Sequence, residues 1–194
     1  MAGLVLAAGG GRRLGGRPKA LLDYRGRPLV EHAARVLRDG GCGPVHIVLG
    51  AAAETVLARA ELAGYDVAVN PDWAAGMGGS LRVGLAALAG SGADAVVVSL
   101  VDQPGIGADA VARVAAAAAS AGRGALAAAA YGGERGHPVL FGADRWADVA
   151  ASAAGDRGAR AYLRCHAEAL TLVECGDVAE AYDIDTPEDL KRLE

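Results

Sequence analysis

The feature that most constrains this chain is a regular alternation of short apolar runs with longer segments of helical periodicity. Residues 95–100 are apolar almost throughout, as expected for a central parallel strand that is covered on both faces. Similar runs predict strands at residues 4–7, 45–49, 67–69, 124–130, 138–141 and 169–173. Helical patterns occupy residues 28–38, 51–63, 80–88, 107–120, 143–151, 158–168 and 187–193. The alternation predicts an α/β fold in three layers, with helices on both faces of a mostly parallel, doubly wound, Rossmann-like sheet.

Residues that favour helix ends set several of these boundaries. Gly40 and Gly41 are expected to end the helix at residues 28–38, and Gly64 the helix at residues 51–63. Thr186, which precedes Pro187, is the expected N-cap of the last helix.

Length and composition restrict the class of protein. A chain of 194 residues that is 53% hydrophobic predicts one globular domain spanning residues 1–194. A net charge of −4 argues against a general nucleic-acid or anionic-membrane surface. No apolar run reaches the ~18 residues of a membrane span, and the first residues lack a basic signal-peptide region. Three scattered cysteines favour a reducing cytoplasm over a disulfide framework.

The first loop indicates an anion-binding site. It reads Gly9-Gly10-Gly11-Arg12-Arg13-Leu14-Gly15-Gly16-Arg17-Pro18-Lys19 and directly follows a predicted buried strand. It matches neither the G-x-G-x-x-G nor the Walker pattern. Its glycines can nevertheless present backbone N–H groups to a phosphate, and its basic residues supply charge. The alternative is a flexible surface turn with solvated arginines.

Acidic residues follow the central strand and recur near the end of the chain. Asp102 lies just after the strand at residues 95–100, where a carboxylate could hold Mg²⁺ beside phosphate oxygens. Asp183 and Asp185 share one face if their segment is extended, so either could be a second ligand. Turn formation at Asp102, and helix capping near Thr186, are the structural alternatives.

Three further segments are candidate ligand contacts. Bare backbone in Gly76-Met77-Gly78-Gly79-Ser80 could lie against a base or a ribose, although Ser80 could equally be an N-cap. Arg157 and Arg160 sit near a predicted helix start and could bind a second phosphate, or could be solvated. His137 is the only histidine in a Gly/Pro setting.

Several segments together resemble a known family. Leu6-Ala7-Ala8-Gly9-Gly10-Gly11-Arg12-Arg13-Leu14-Gly15, followed by Lys19-Ala20-Leu21-Leu22, is similar to the signature loop of nucleotidyltransferases. Six further segments, in order along the chain, resemble the molybdenum cofactor cytidylyltransferase branch of the MobA-like NTP transferases: 70–73, 76–80, 102–104, 136–139, 155–160 and 183–187. The guanylyltransferase branch usually has Leu-Ala-Gly-Gly where this chain has Leu-Ala-Ala-Gly. Gly79 departs from the Ser that is common in cytidylyltransferases.

The resemblance implies a nucleotide-diphospho-sugar transferase type of fold and transfer of CMP from CTP to the phosphate of a molybdopterin-type cofactor, with release of pyrophosphate. It implies Mg²⁺ as cofactor, with Asp102 and Asp185 as ligands, and Arg13, Lys19 and Asp102 as catalytic residues. The implied nucleotide contacts are Leu6, Ala7, Ala8, Gly9, Gly10, Gly11, Arg12, Gly78, Gly79, Ser80, His137, Arg157 and Arg160.

The implied partners are a nucleoside triphosphate, with CTP preferred, the molybdopterin-type cofactor, and a target molybdoenzyme or its chaperone. Neither a nucleic acid nor a membrane is implied. The alternatives are a guanylyltransferase, a sugar- or polyol-phosphate nucleotidyltransferase of the same fold, and a non-catalytic accessory protein of a molybdoenzyme.

Overall fold

The computed structural model describes residues 1–194, which form nine strands and six α-helices. The strands are β1 (Ala2–Ala7), β2 (Asp23–Tyr24), β3 (Arg27–Pro28), β4 (Val45–Leu49), β5 (Asp66–Val69), β6 (Ala95–Leu100), β7 (Leu126–Tyr131), β8 (Glu134–Gly142) and β9 (Thr171–Glu174). The helices are α1 (Leu29–Asp39), α2 (Ala53–Arg59), α3 (Met77–Ala87), α4 (Ala108–Ala118), α5 (Trp146–Ser152) and α6 (Arg160–Cys165).

Seven strands form one sheet in the order β5-β4-β1-β6-β8-β7-β9, while β2 and β3 pair separately as a short hairpin. Only β8 runs against the other six strands, because it pairs antiparallel with both β6 and β7. The predicted mostly parallel sheet is therefore confirmed. No helix is long and apolar enough to cross a membrane.

Buried side chains alternate between two cores, one on each face of the sheet. Val5, Ile47 and Val97 point into the core beneath α1, α2 and α4. Their strand neighbours Leu4 and Val48 point into the core beneath α3, α5 and α6. Each fully buried Val or Leu stabilises the fold by about 1.5–3 kcal/mol, so both faces need helical cover. The predicted three-layer arrangement is confirmed.

The start of α3 differs from the prediction. The helix begins at Met77, so Ser80 lies inside it, and the prediction of Ser80 as N-cap is wrong. The preceding Gly76 has φ 114°, a conformation that favours glycine. A Cβ on Gly78 would lie 2.7 Å from the backbone nitrogen of Ala154. Glycines there let the first turn of α3 approach the chain before α6.

Other boundaries also shift. Helix α1 ends beside Gly40 as predicted, but α2 ends at Arg59 because Ala60 is extended. Strand β8 is longer than predicted and contains Pro138, which sits where the pairing register with β7 shifts. A bulge tolerates a proline that a regular ladder would not.

The last helical turn also differs. It is a short 3-10 segment, Asp189–Leu193. Thr186 does not cap it, because its hydroxyl and backbone N–H both donate to the carboxylate of Asp189.

Candidate nucleotide-binding site

A cavity of about 550 Å³ opens where β1 and β6 end. These strands are parallel neighbours, with Leu6 opposite Leu100, so the loops that follow them meet at one edge of the sheet. Four basic residues (Arg12, Arg13, Lys19, Arg160) and four acidic residues (Asp102, Asp156, Asp183, Asp185) line the cavity.

The loop after β1 forms one wall of this cavity. The backbone N–H groups of Gly9, Gly10 and Gly11 donate to no other group of the protein, so all three remain available to a ligand. Gly11 has φ 59°, and a Cβ there would collide with the carbonyl oxygen of Arg17. The Gly11 carbonyl accepts from the N–H of Gly16 at 3.0 Å, which closes the loop. The loop shape thus requires glycine at position 11.

Lys19 lies between the two carboxylates at the centre of the cavity. Its Nζ is 2.6 Å from Oδ2 of Asp102, and it also donates a short hydrogen bond to Oδ1 of Asp185. The Lys19 side chain is 13% exposed, against 19% for Asp102 and 40% for Asp185. A single cation position is therefore defined by two acids that are far apart in sequence.

Backbone hydrogen bonds bring those two acids together. The N–H of Ile184 donates to the carbonyl of Asp102 at 2.9 Å, and the N–H of Glu180 donates to the carbonyl of Gly105 at 3.1 Å. Ile184 is fully buried, so it holds the C-terminal segment in the core. Asp185 is thereby fixed beside the loop after β6.

The electrostatics of the trio favour a charged lysine. Burial alone would lower the pKa of Lys19, but the two carboxylates together outweigh burial and raise its pKa above the ordinary value. Burial raises the pKa of Asp102, and the neighbouring Lys19 ammonium opposes that rise without cancelling it. A cation between these acids is therefore needed to keep Asp102 ionised at low energetic cost.

Further side chains contact the residues next to Lys19 and its two carboxylates. Arg13 approaches Asp185 at 3.5 Å, but its side chain is 75% exposed, so this ion pair contributes little and leaves Arg13 free to turn toward a ligand. Gln103 donates to Asp183 at 2.7 Å. His32 on α1 lies 3.2 Å from the carbonyl oxygen of Pro104.

The opposite wall is less polar. Trp73, Ala74, Gly76, Met77 and Ser80 line it. Ser80 accepts a hydrogen bond at 3.0 Å from Asn70, which is buried at the end of β5. The side-chain oxygen Oδ1 of Asn70 accepts from the N–H of Asp72 at 3.1 Å and fixes the turn that presents Trp73.

The structure places most of the predicted contact residues on the cavity. Those that line it are Leu6, Ala8, Gly9, Gly10, Gly11, Arg12, Arg13, Lys19, Ser80, Asp102, Arg160 and Asp185. Five others do not line it: Ala7, Gly78, Gly79, His137 and Arg157.

Packing and exposure separate these five residues from the cavity. Gly79 lies in α3, where a Cβ would be 3.3 Å from the side-chain nitrogen of Asn70. The Ala7 side chain points into a core, and Gly78 is buried against the backbone of Ala154. Arg157 is exposed at the surface. His137 lies on β8, near enough to Asp183 and Arg160 to feel their charges; burial lowers its pKa to about 4, so it is neutral at pH 7.

Sequence reasoning missed Trp73, Met77 and Asp156 as individual site residues. Trp73 is one of two tryptophans in a chain with 4% aromatic residues, and it follows a strong turn signal at residues 70–72. Tryptophan just after a strand end is the signal that could have found it. The sequence gives no comparable signal for Met77 or Asp156.

Residues 3–171 match the MobA-like NTP transferase domain. This chain belongs to the MobA-like NTP transferase family. Members of this family are nucleotidyltransferases, and such enzymes generally use a divalent metal. Asp183 and Asp185 lie beyond the matched residues.

Individual relatives cover nearly the whole chain. It is 44% identical to a nicotine blue oxidoreductase from Paenarthrobacter nicotinovorans, over 98% of this chain and 95% of that protein. It is 36% identical to a molybdenum cofactor guanylyltransferase from Cereibacter sphaeroides, over 99% of this chain and 94% of that protein. A Mycobacterium tuberculosis protein crystallised with manganese matches with a TM-score of 0.80 at 30% identity, over 99% of this chain and 96% of that one.

The residues present fit a divalent cation. Asp102 and Asp185 already converge on one cation, the ammonium of Lys19. No three metal-ligating side chains are grouped anywhere in the structure, so a hard ion here would complete its shell with phosphate oxygens and water.

Proposed function

We propose that this protein transfers CMP from CTP to the phosphate of a molybdopterin-type cofactor and releases pyrophosphate. The observation that carries the proposal is one cavity lined both by three glycines whose N–H groups have no protein partner and by a lysine held by two carboxylates. That combination suits a triphosphate and its metal ion. The acceptor is already an anion, so no general base is required.

The glycine loop would bind the triphosphate in the ground state. Its amides are fixed by the φ of Gly11 and by the hydrogen bond from Gly16, so little reorganisation is needed when an anion arrives. Arg12 and Arg13 are exposed at the rim and can add charge-assisted contacts to the outer phosphates.

Lys19 would change partners when the nucleotide binds. In the structure its ammonium pairs with both Asp102 and Asp185. Those carboxylates would hold Mg²⁺, which would neutralise negative charge on the phosphates. Lys19 would then face the phosphates and stabilise the charge that develops as the bond to the α-phosphorus breaks.

The preference for CTP rests on two features. Ala8 lines the cavity at the position where the guanylyltransferase branch usually carries glycine. Few side chains project from the first turn of α3, between Gly76 and Ser80. A pocket that hydrogen-bonds one base can discriminate by several kcal/mol, because another base leaves buried polar groups unpaired.

The decisive experiment supplies purified protein with each nucleoside triphosphate, Mg²⁺ and a molybdopterin-type acceptor, and measures pyrophosphate. We expect acceptor-dependent pyrophosphate release, with CTP used better than GTP. Equal or better use of GTP would contradict the base choice and favour a guanylyltransferase. Pyrophosphate release only with a sugar or polyol phosphate would show that such a phosphate, and not the molybdopterin-type cofactor, is the acceptor. No release with any triphosphate would contradict nucleotidyl transfer and favour an accessory protein that delivers the cofactor to a molybdoenzyme or its chaperone.

The relative named nicotine blue oxidoreductase favours a second candidate function. A reduced nicotinamide dinucleotide carries a diphosphate that the glycine loop could bind, and it could pass a hydride to a planar acceptor while a proton comes from solvent. Lys19 would then stay between its carboxylates. Loss of reduced-nicotinamide absorbance with nicotine blue as acceptor, in the presence of a metal chelator, would support this candidate over the first.

A further inference from the structure

Trp73 occupies an unusual place in the cavity wall. Its indole packs directly on the phosphate-binding loop: a Cβ on Gly10 would lie 2.8 Å from the indole Cη2. A Cβ on Gly50 would lie 2.5 Å from the Cβ of Trp73. Two glycine positions therefore leave room for this one side chain to lie close against the backbone.

The position of the indole is set by its turn. Trp73 begins a short 3-10 segment, Trp73–Ala75, that follows the Asn70 turn. The carbonyl of Trp73 accepts from the N–H of Gly76 at 3.1 Å. A large aromatic group is thus held in place before any ligand arrives.

The indole is nevertheless only half-buried, and it lines the cavity. Met77, 37% exposed, lines the same wall. The other tryptophan behaves differently, since the Trp146 N–H donates to the carbonyl of Phe141 at 3.0 Å and Trp146 does not line the cavity. No protein group accepts a hydrogen bond from the Trp73 N–H.

We propose that Trp73 is the contact surface for a planar heteroaromatic ring of the bound substrate, with Met77 at its edge. The inference rests on the proposed function, because it takes the ligand to be a nucleotide or its pterin acceptor. Flat rings stack on indole regardless of their hydrogen-bonding pattern, so Trp73 adds affinity for a ring and leaves the choice of base to other groups. The polar end of the cavity binds the phosphates, and Trp73 orients the ring that they carry.

Intrinsic fluorescence tests the contact directly, because the chain has two tryptophans. In the Trp146→Phe variant, Trp73 is the sole indole. Titration with CTP or GTP in the presence of Mg²⁺ should quench its emission, whereas inorganic tripolyphosphate should bind in competition with CTP and quench much less. Equal quenching by tripolyphosphate, CTP and 6-hydroxymethylpterin at saturation would overturn the proposal.

Affinity measurements separate ring contact from loop support. Calorimetry on Trp73→Ala should show CTP binding weakened about 5- to 100-fold, the loss expected for one stacked base. Tripolyphosphate binding should change less than about twofold, and Trp73→Phe should recover most of the CTP affinity. Equal weakening of CTP and tripolyphosphate would mean that Trp73 only supports Gly10, and would overturn the proposal.

A pterin arm identifies which ring is bound. If the Trp73→Ala variant loses affinity for 6-hydroxymethylpterin and not for CTP, the ring on the indole is that of the acceptor. If folded Trp73→Ala binds CTP, GTP and the pterin as tightly as the unmodified protein does, no ring contacts Trp73 and the proposal is rejected. Failure of nucleotides to bind the unmodified protein would instead reject the proposed function.

Discussion

Nζ of Lys19 lies 2.6 Å from Oδ2 of Asp102, although 83 residues separate the two in sequence. The same ammonium binds Asp185. In the structure Lys19 therefore occupies the position between the acids that a divalent cation would take. Under the proposed function, Lys19 would have two opposing roles, one toward the phosphates and one toward the metal, and each can be measured separately.

Replacing Lys19 with methionine should impair turnover. The substitution keeps the length of the side chain and removes its charge, so binding of the resting triphosphate by the loop amides should largely survive. Loss of one charge-assisted contact in the transition state should cost roughly 2–4 kcal/mol, or about 30- to 1,000-fold in kcat/KM. Steady-state kinetics with circular dichroism as a folding check would measure this. A change in kcat/KM of less than about threefold would show that Lys19 does not stabilise the transition state.

The same substitution should strengthen metal binding to the nucleotide-free protein. Without the ammonium, no cation lies between Asp102 and Asp185, and Mn²⁺ no longer competes with Lys19. We expect Mn²⁺ affinity, measured by calorimetry, to rise about tenfold in Lys19→Met, equivalent to about 1.4 kcal/mol. Unchanged affinity would mean that the metal and Lys19 do not share the site.

Asp102→Asn should abolish most activity while the protein stays folded. A neutral amide is a poorer Mg²⁺ ligand and no longer offsets the charge of the ion, so kcat/KM should fall roughly 100-fold or more. Asp185→Asn should cost less, because its side chain is 40% exposed against 19% for Asp102. Asp177→Asn is the control, since Asp177 pairs with Arg113 outside the cavity. Near-normal turnover of Asp102→Asn at limiting Mg²⁺ would remove Asp102 from the metal site.

The layered fold was predictable because it follows from apolar periodicity. The run at 95–100 appears as β6, buried along nearly its whole length. Because the alternation predicted parallel strands, β1 and β6 were expected to end at the same edge of the sheet, and the structure shows that they are neighbours. Asp102 and the glycine loop could be placed on one edge from this reasoning alone.

Other parts depended on contacts between distant segments. The meeting of Lys19 with Asp185 requires Ile184 to enter the core and donate to the carbonyl of Asp102, which no local pattern encodes. Ser80 resembled an N-cap, but close packing against Ala154 begins α3 one turn earlier. Pro138 suggested a short strand, whereas a register shift lets β8 continue through it.

Gly11→Ala should destabilise the protein and disrupt its loop. Gly11 has φ 59°, and the new methyl group would collide with the carbonyl of Arg17. A left-handed conformation costs a non-glycine residue roughly 1–2 kcal/mol before the collision is added. In a protein of this size, a total loss of about 2 kcal/mol lowers Tm by roughly 4–8 °C.

Gly9→Ala is the matched control for thermal stability. No atom lies within 4 Å of a Cβ at that position. Its Tm should therefore shift by less than about 2 °C. Equal melting temperatures for the two variants would show that the loop adapts and that its shape does not depend on Gly11.

Stability should fall in acid partly through His137. Burial lowers the pKa of its imidazole from 6.5 to about 4, so between these values the unfolded chain binds a proton that the folded protein does not. The unfolded state therefore binds more protons in this window, and the free energy of unfolding must fall as pH falls from 6.5 toward 4. Because the His137 side chain is partly accessible, we expect it to account for about 1–3 kcal/mol of the free energy of unfolding lost on acidification, no more than the full pKa difference allows. Denaturant unfolding of the wild type and of His137→Gln across this range would measure that share: the variant should lose less stability on acidification. If the two proteins lose stability in parallel, His137 titrates alike in the folded and unfolded states and does not contribute to the acid sensitivity of the fold.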